Sequence, residues 1–381
     1  MNILFNLLVF SLPFGVVLRL GVAPNVYLYP QDIFAGLIFI TFLVHLISKR
    51  KLPEKKIFIL ASMFVSAGFI SLLINSSHLQ IREFATALAY LVRYASYISI
   101  IFAVPMLKQN ERSSILKKLM IAGLVFVFFG FIQYFYYPNL RNLYYLGWDE
   151  HLGRLFSTML DPNFAGAFLV LILILVTGNL GKSRLLLLFP LLTLIAIFLT
   201  HSRSALIMLV VAGSIFLITN KLYKQAIVFV AVLILGLVVF SNTNIEGLNP
   251  LRIASSEARI KSAEQAIEIF RKNPIFGVGF NAYRYAQIRY GFSDSDKTKL
   301  SNSDAGTDNS YLFVLATTGV VGFLFFLEFW INILKRIYSD RVVFASVIGI
   351  LVNTLFINSI FLTVIMAWIF ILAGVTLSKK Q

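Results

Sequence analysis

The chain has no cysteine, which excludes disulfides and thiolate metal ligands and leaves the redox compartment unread. Charge is also scarce: Asp, Glu, Lys and Arg together make 13% of the residues, and acidic side chains are outnumbered 17 to 33 by basic ones. No Walker lysine, zinc-ligand spacing or Gly-x-Ser-x-Gly elbow occurs, so ATP-driven and serine-hydrolase chemistry have no support. What fills the chain instead is apolar. Hydrophobic residues make up 59% of its 381 positions, with 37 Phe among them. This composition defines a polytopic membrane protein.

Apolar runs fall at residues 3–18, 32–48, 57–74, 84–107, 119–137, 161–178, 185–200, 205–220, 226–241, 308–333, 342–358 and 360–377. They predict an all-α integral membrane fold of about twelve transmembrane helices. The first run lacks a small-residue cleavage site and reads as a retained helix. Alternate connections, near 49–56, 108–118, 182–184, 221–224, 335–341 and 379–380, hold 18 Lys and Arg. The short connections on the other side hold only Arg19, Arg82, Arg141, Arg154 and Arg203. That asymmetry predicts cytoplasmic termini and an external face for the remaining long loop. Three parts are expected: a bundle over 1–241, an extracytoplasmic loop over 242–307, and a bundle over 308–381.

Within the loop, 255–272 predicts a short amphipathic helix, with Ser255 or Ser256 as cap and Asn273-Pro274 as stop. At 100° per residue Ile260, Ala263, Ile267 and Phe270 share one face, and Glu257, Lys261, Glu264 and Glu268 share another. Arg259 lies within about 60° of the apolar stripe, so it points at whatever the stripe packs on. The loop has eight other basic residues: Arg252, Lys261, Arg271, Lys272, Arg284, Arg289, Lys297 and Lys299. Either it is a solvated mixed-charge surface or it holds an anion.

Other polar positions gather on the same side. Arg203 sits in the turn Thr200-His201-Ser202-Arg203-Ser204, and Asp161-Pro162-Asn163 begins the sixth run as a helix cap or a site. Tyr136 to Ser157 mixes aromatic residues with Arg141, Asp149, His151 and Arg154, which suits an interfacial belt and also sugar rings. Arg93, inside the fourth run, needs a partner, with Glu83, Asp32 or a backbone carbonyl as candidates.

Arg259, Asn273-Pro274-Ile275-Phe276-Gly277-Val278-Gly279, Asp308-Asn309-Ser310-Tyr311-Leu312 and Thr318-Gly319-Val320-Val321-Gly322 occur in that order. Together with the Ser202-Arg203-Ser204 turn and Asp161-Pro162-Asn163, they resemble the signature region of the O-antigen ligase and O-antigen polymerase superfamily (Wzy/WaaL type). The resemblance covers residues 157–325. It implies a GT-C-like membrane glycosyltransferase at the outer face of a bacterial plasma membrane. Its donor would be an undecaprenyl diphosphate-linked oligosaccharide, and transfer to an acceptor hydroxyl would be inverting. No metal, cofactor or nucleic acid is expected, and a chain-length regulator is a candidate partner.

In that resemblance Arg203 and Arg259 would hold the diphosphate, because guanidinium forks suit phosphate oxygens. Asp308 would activate or orient the acceptor. Asn309, Asn163, Asp161 and Tyr311 are candidate substrate contacts, with His201, Arg284 and Arg271 in reserve. Ligases that resemble this chain carry histidine where Asp308 stands, so the expectation is a polymerase that extends one lipid-linked repeat unit with another. A ligase acting on lipid A core or another anchor is the alternative. A flippase for the lipid-linked repeat is the non-enzyme rival, but no internal repeat supports it.

Overall fold

The computed structural model describes residues 1–23, 26–49, 54–179, 188–241, 254–293 and 306–379. Among the described residues, twelve apolar helices fall within or close to the twelve runs. They are α1 (Asn2–Ser11), α2 (Pro30–Lys49), α3 (Lys55–Ile74), α4 (Ile81–Ala103), α5 (Gln109–Tyr136), α6 (Pro162–Gly178), α7 (Leu188–Leu199), α8 (Arg203–Thr219), α9 (Tyr223–Ser241), α12 (Ser310–Ile337), α13 (Arg341–Asn353) and α14 (Thr363–Ser378). Two polar helices, α10 (Ala254–Lys272) and α11 (Tyr283–Arg289), lie between α9 and α12. Among the described residues, five segments within α2, α3, α4, α5 and α12 are long and apolar enough to cross a membrane alone; the other apolar helices are shorter.

The first run departs from the expected single helix. Pro13 opens a 3-10 turn after α1, and Gly15 takes φ 54°, where a Cβ would meet the Thr158 carbonyl oxygen at 2.4 Å. A short antiparallel hairpin follows, β1 (Leu20–Ala23) with β2 (Val26–Leu28), so the fold is not wholly helical. Near the other end, α13 stops at Asn353 and a 3-10 turn at Ser359–Phe361 precedes α14, a wider break than the pattern implied.

The core is built around α6 and α14, and every residue of α14 is buried. Phe168 of α6 meets Phe126 of α5 and Trp368 of α14 edge-on, each at 4.9 Å between ring centres, the geometry aromatic quadrupoles favour. Close helix approach relies on small residues. A Cβ on Gly166 of α6 would stand 2.6 Å from that of Ala205 of α8, and this contact brings the first turns of the two helices together. The charge inside α4 has the partners it needs. Arg93 lies 3.0 Å from Asp32 and donates to the Tyr27 carbonyl, while Asp32 accepts from Tyr97 Oη at 2.9 Å and the Tyr29 amide at 2.9 Å.

The glycine motifs make a joint. α12 breaks at Gly319, with φ 64° and ψ −169°, and the segment after α10 runs into the break. Val278 N donates to Ala316 O and Gly279 N to Thr317 O, each at 3.0 Å; Val320 N donates to Pro274 O at 2.9 Å. Ser71 Oγ of α3 donates to Thr317 O at 2.8 Å and to Phe276 O, and Asn75 Nδ2 donates to Gly277 O at 2.9 Å. Backbone groups freed by the break are thus satisfied by protein, as a low-dielectric surrounding requires.

Candidate functional site at one end of the bundle

Beside the joint α10 lies along the bundle with a phase that differs from the expected one. Ala266 and Ile269 are buried, whereas Ile260 is 58% exposed. Glu257, Lys261, Glu264 and Glu268 face solvent as predicted. The packed face therefore runs through 259, 262, 266 and 269, and Arg259 belongs to it rather than to its edge. One turn on from Arg259, Ser262 Oγ donates to Thr307 Oγ1 at 3.0 Å and accepts from the Asp308 amide at 3.4 Å. This clamp fixes Arg259 against the start of α12. The side chains of Ser255 and Ser256, and the loop residues Arg252, Lys297 and Lys299, lie outside the described set.

Asp308 does not cap α12. Asn309 does so, its Oδ1 accepting from the amides of Tyr311 and Leu312 at 2.9 and 3.0 Å while its Nδ2 donates to Leu355 O at 3.1 Å. The Asp308 carboxylate is left to face a cavity of about 540 Å³. Water reaches it there, yet surrounding protein pushes its pKa above the usual carboxylate range; Arg259 opposes that shift and Asp161 adds to it. The same burial raises the Tyr283 hydroxyl behind it, with Asp308 contributing.

Arg259, Asp308, Asp161 and Asn163 all line this cavity. Asp161 Oδ1 caps α6, accepting from the amides of Asn163 and Phe164 at 2.7 and 3.2 Å, which leaves Oδ2 for His151 at 3.8 Å. Asn163 Oδ1 accepts from Ser202 Oγ at 3.0 Å, and Ser202 caps α8 through the Ala205 amide. Arg203 follows as the first residue of α8, close enough to Arg259 for their charges to interact. Buried Arg154 holds the corner, its Nε donating to Thr200 O at 2.9 Å and its Nη2 to His201 O at 3.4 Å. The Arg259 guanidinium and two carboxylates thus share one cleft, with Arg203 near Arg259 but not among the lining residues, a layout that can hold a polyanion beside a proton acceptor.

Other expected site residues lie elsewhere. Tyr311 Oη donates to Leu351 O at 2.9 Å within the helix packing. Arg271 is exposed near the end of α10. Arg271, Arg284 and His201 are not among the cavity-lining residues, nor are Asn309 and Tyr311. His151, Trp148, Tyr90, Asn281 and Asn358 line the cavity and were not singled out as site residues from the sequence. Their signal was the aromatic and charged composition of 136–157 and a lone asparagine in each of two loops, and no local pattern joins such positions.

Fold and site together define a mainly helical membrane protein with a mixed-charge cleft at one end of its bundle. Residues 188–327 match the family model described as O-antigen ligase, in keeping with the resemblance to the O-antigen ligase and polymerase superfamily. These are glycosyltransferase-like enzymes that act on lipid-linked glycans. The matched region includes Arg203, Arg259 and Asp308 but stops short of Asp161 and Asn163. No curated protein matches the chain.

Proposed function

We propose that this protein is a polysaccharide polymerase at the outer face of a bacterial plasma membrane. In this reading all twelve apolar helices are spans, both termini are cytoplasmic, and the cavity opens to the periplasm or exterior. The donor is a glycan on undecaprenyl diphosphate, and the acceptor is the non-reducing-end sugar of a second lipid-linked repeat unit. The acceptor oxygen attacks the anomeric carbon from the face opposite the diphosphate and forms the new glycosidic bond. The bond from the anomeric carbon to the diphosphate oxygen breaks with its electron pair, and the hydroxyl proton passes to Asp308. Arg259 and Arg203 stabilise the charge growing on the departing diphosphate, a role that needs no metal.

The observation that carries the reading is the pairing of the Asp308 carboxylate with Arg259 across one cavity, with Asp161 beside them. A carboxyl with a raised pKa is better matched to proton transfer near neutral pH than an ordinary one. The ligase alternative has one observation of its own. His151 supplies an imidazole on the cavity wall beside Asp161, although position 308 holds no histidine.

The test uses purified protein in detergent with a polyprenyl diphosphate repeat unit, no nucleotide and excess chelator. A product ladder that is lost in Arg259→Ala and Asp308→Ala supports the polymerase. Transfer only to a supplied lipid A core supports the ligase. Movement of lipid across liposomes without any transfer overturns both.

A further inference from the structure

Beside its charged groups the cavity is lined by aromatic and amide side chains, Trp148, Tyr90, Asn281 and Asn358 among them. We propose that Trp148 and Tyr90, with Asn281 and Asn358, form the subsite for a pyranose ring of the acceptor glycan. The proposal rests on the glycan-transfer reading given above.

Both rings are already held by a guanidinium. The Arg93 guanidinium lies 4.5 Å from the centre of the Tyr90 ring, and that of Arg19 lies 5.7 Å from the centre of the Trp148 ring. The indole also packs on a small apolar cluster containing Leu140 and Phe156. Its N–H makes no hydrogen bond to a described residue, so among these residues packing and the guanidinium hold the ring in place. A ring immobilised before the ligand arrives loses little freedom on binding. Its free face suits the C–H face of a pyranose, a contact that tolerates many sugars.

The amides argue against a hydrocarbon occupant. Asn281, held at φ 57°, makes no side-chain hydrogen bond to another described residue. Asn358 accepts from Ser310 Oγ at 2.9 Å through Oδ1, which assigns its NH2 to the side near Gly306, on the cavity. An isoprenoid tail would strip water from these donors and return nothing, whereas sugar hydroxyls would accept from them.

Trp330 and Trp368, the other two tryptophans of the chain, are buried in the bundle, so Trp148 is a reporter of its own cavity. The experiment titrates the full-length protein in detergent with the lipid-free repeat-unit oligosaccharide released by mild acid, and reads the wild-type minus Trp148→Phe difference emission. The expected result is a saturable change with the oligosaccharide and none with undecaprenol or inorganic pyrophosphate. In the transfer assay Trp148→Ala should raise KM for the acceptor about tenfold with kcat little changed, while Trp148→Phe retains most of the affinity. A saturable glycan response without transfer would sustain the subsite while sinking the polymerase. Transfer with neither an emission change nor a KM change, or a response to undecaprenol alone, would overturn the subsite.

Discussion

The stretch from Arg259 to Gly322 contributes to two regions of opposite character. At the joint, Pro274–Gly279 and the break in α12 are held by backbone hydrogen bonds and by the Ser71 and Asn75 side chains, and the glycines matter for the side chains they lack. At the cavity the backbone is peripheral, and charged side chains meet from α10, the start of α12 and the start of α6. Motif letters of similar prominence therefore carry different meanings. The glycines hold two chain segments in contact, and the arginine and aspartate are free to meet a ligand.

The difference can be broken most severely at the joint. In Gly319→Ala the new Cβ would lie 2.2 Å from the Ile275 carbonyl oxygen at a φ that L residues avoid. We expect a cost of about 3 kcal/mol or more and loss of monodisperse protein on size exclusion. Folded, active Gly319→Ala protein would contradict the structural assignment of the motif. Asp308→Asn should do the reverse, lowering transfer by about 10²-fold or more while the melting temperature stays near wild type. Arg259→Lys keeps the charge but loses the fork, and we expect a smaller loss of about tenfold, again without a change in melting temperature.

The smallest effect concerns pH. Activity that requires ionised Asp308 falls as pH drops through its raised pKa. Removing the Asp161 charge removes one cause of that rise, so in Asp161→Asn the acid limb of the pH–rate profile should move to lower pH. Asparagine can still cap α6, so the helix start survives the change. A limb that stays in place would separate Asp161 from Asp308.

Length and apolarity made most of the helices legible, because few structures satisfy twelve greasy runs punctuated by basic clusters. The demand that a charge within a span find a partner also held for Arg93, which pairs with Asp32. The phase of α10 was harder to read. A helix at the rim of a cleft is packed on one side and open on another, so Ile260 stays exposed despite its place in the stripe. Asp308 and Asn309 are adjacent and equally good caps, and only the fold shows that Asn309 takes that role. His151 was legible only as part of a loop and Trp148 only as one of that loop's aromatic residues, since the walls they join come from segments as distant as α4 and the turn before α14.

The complete burial of α14 also bears on how the molecule is made. This helix follows the thirteen other described helices, yet it lies against α2, α4, α12 and α13 with no face turned outward. The earlier helices must therefore wait around a gap until it emerges, or part again to admit it. Biogenesis then has a decisive step, and a ribosome stalled before residue 363 would leave behind a hollow bundle rather than a nearly finished fold.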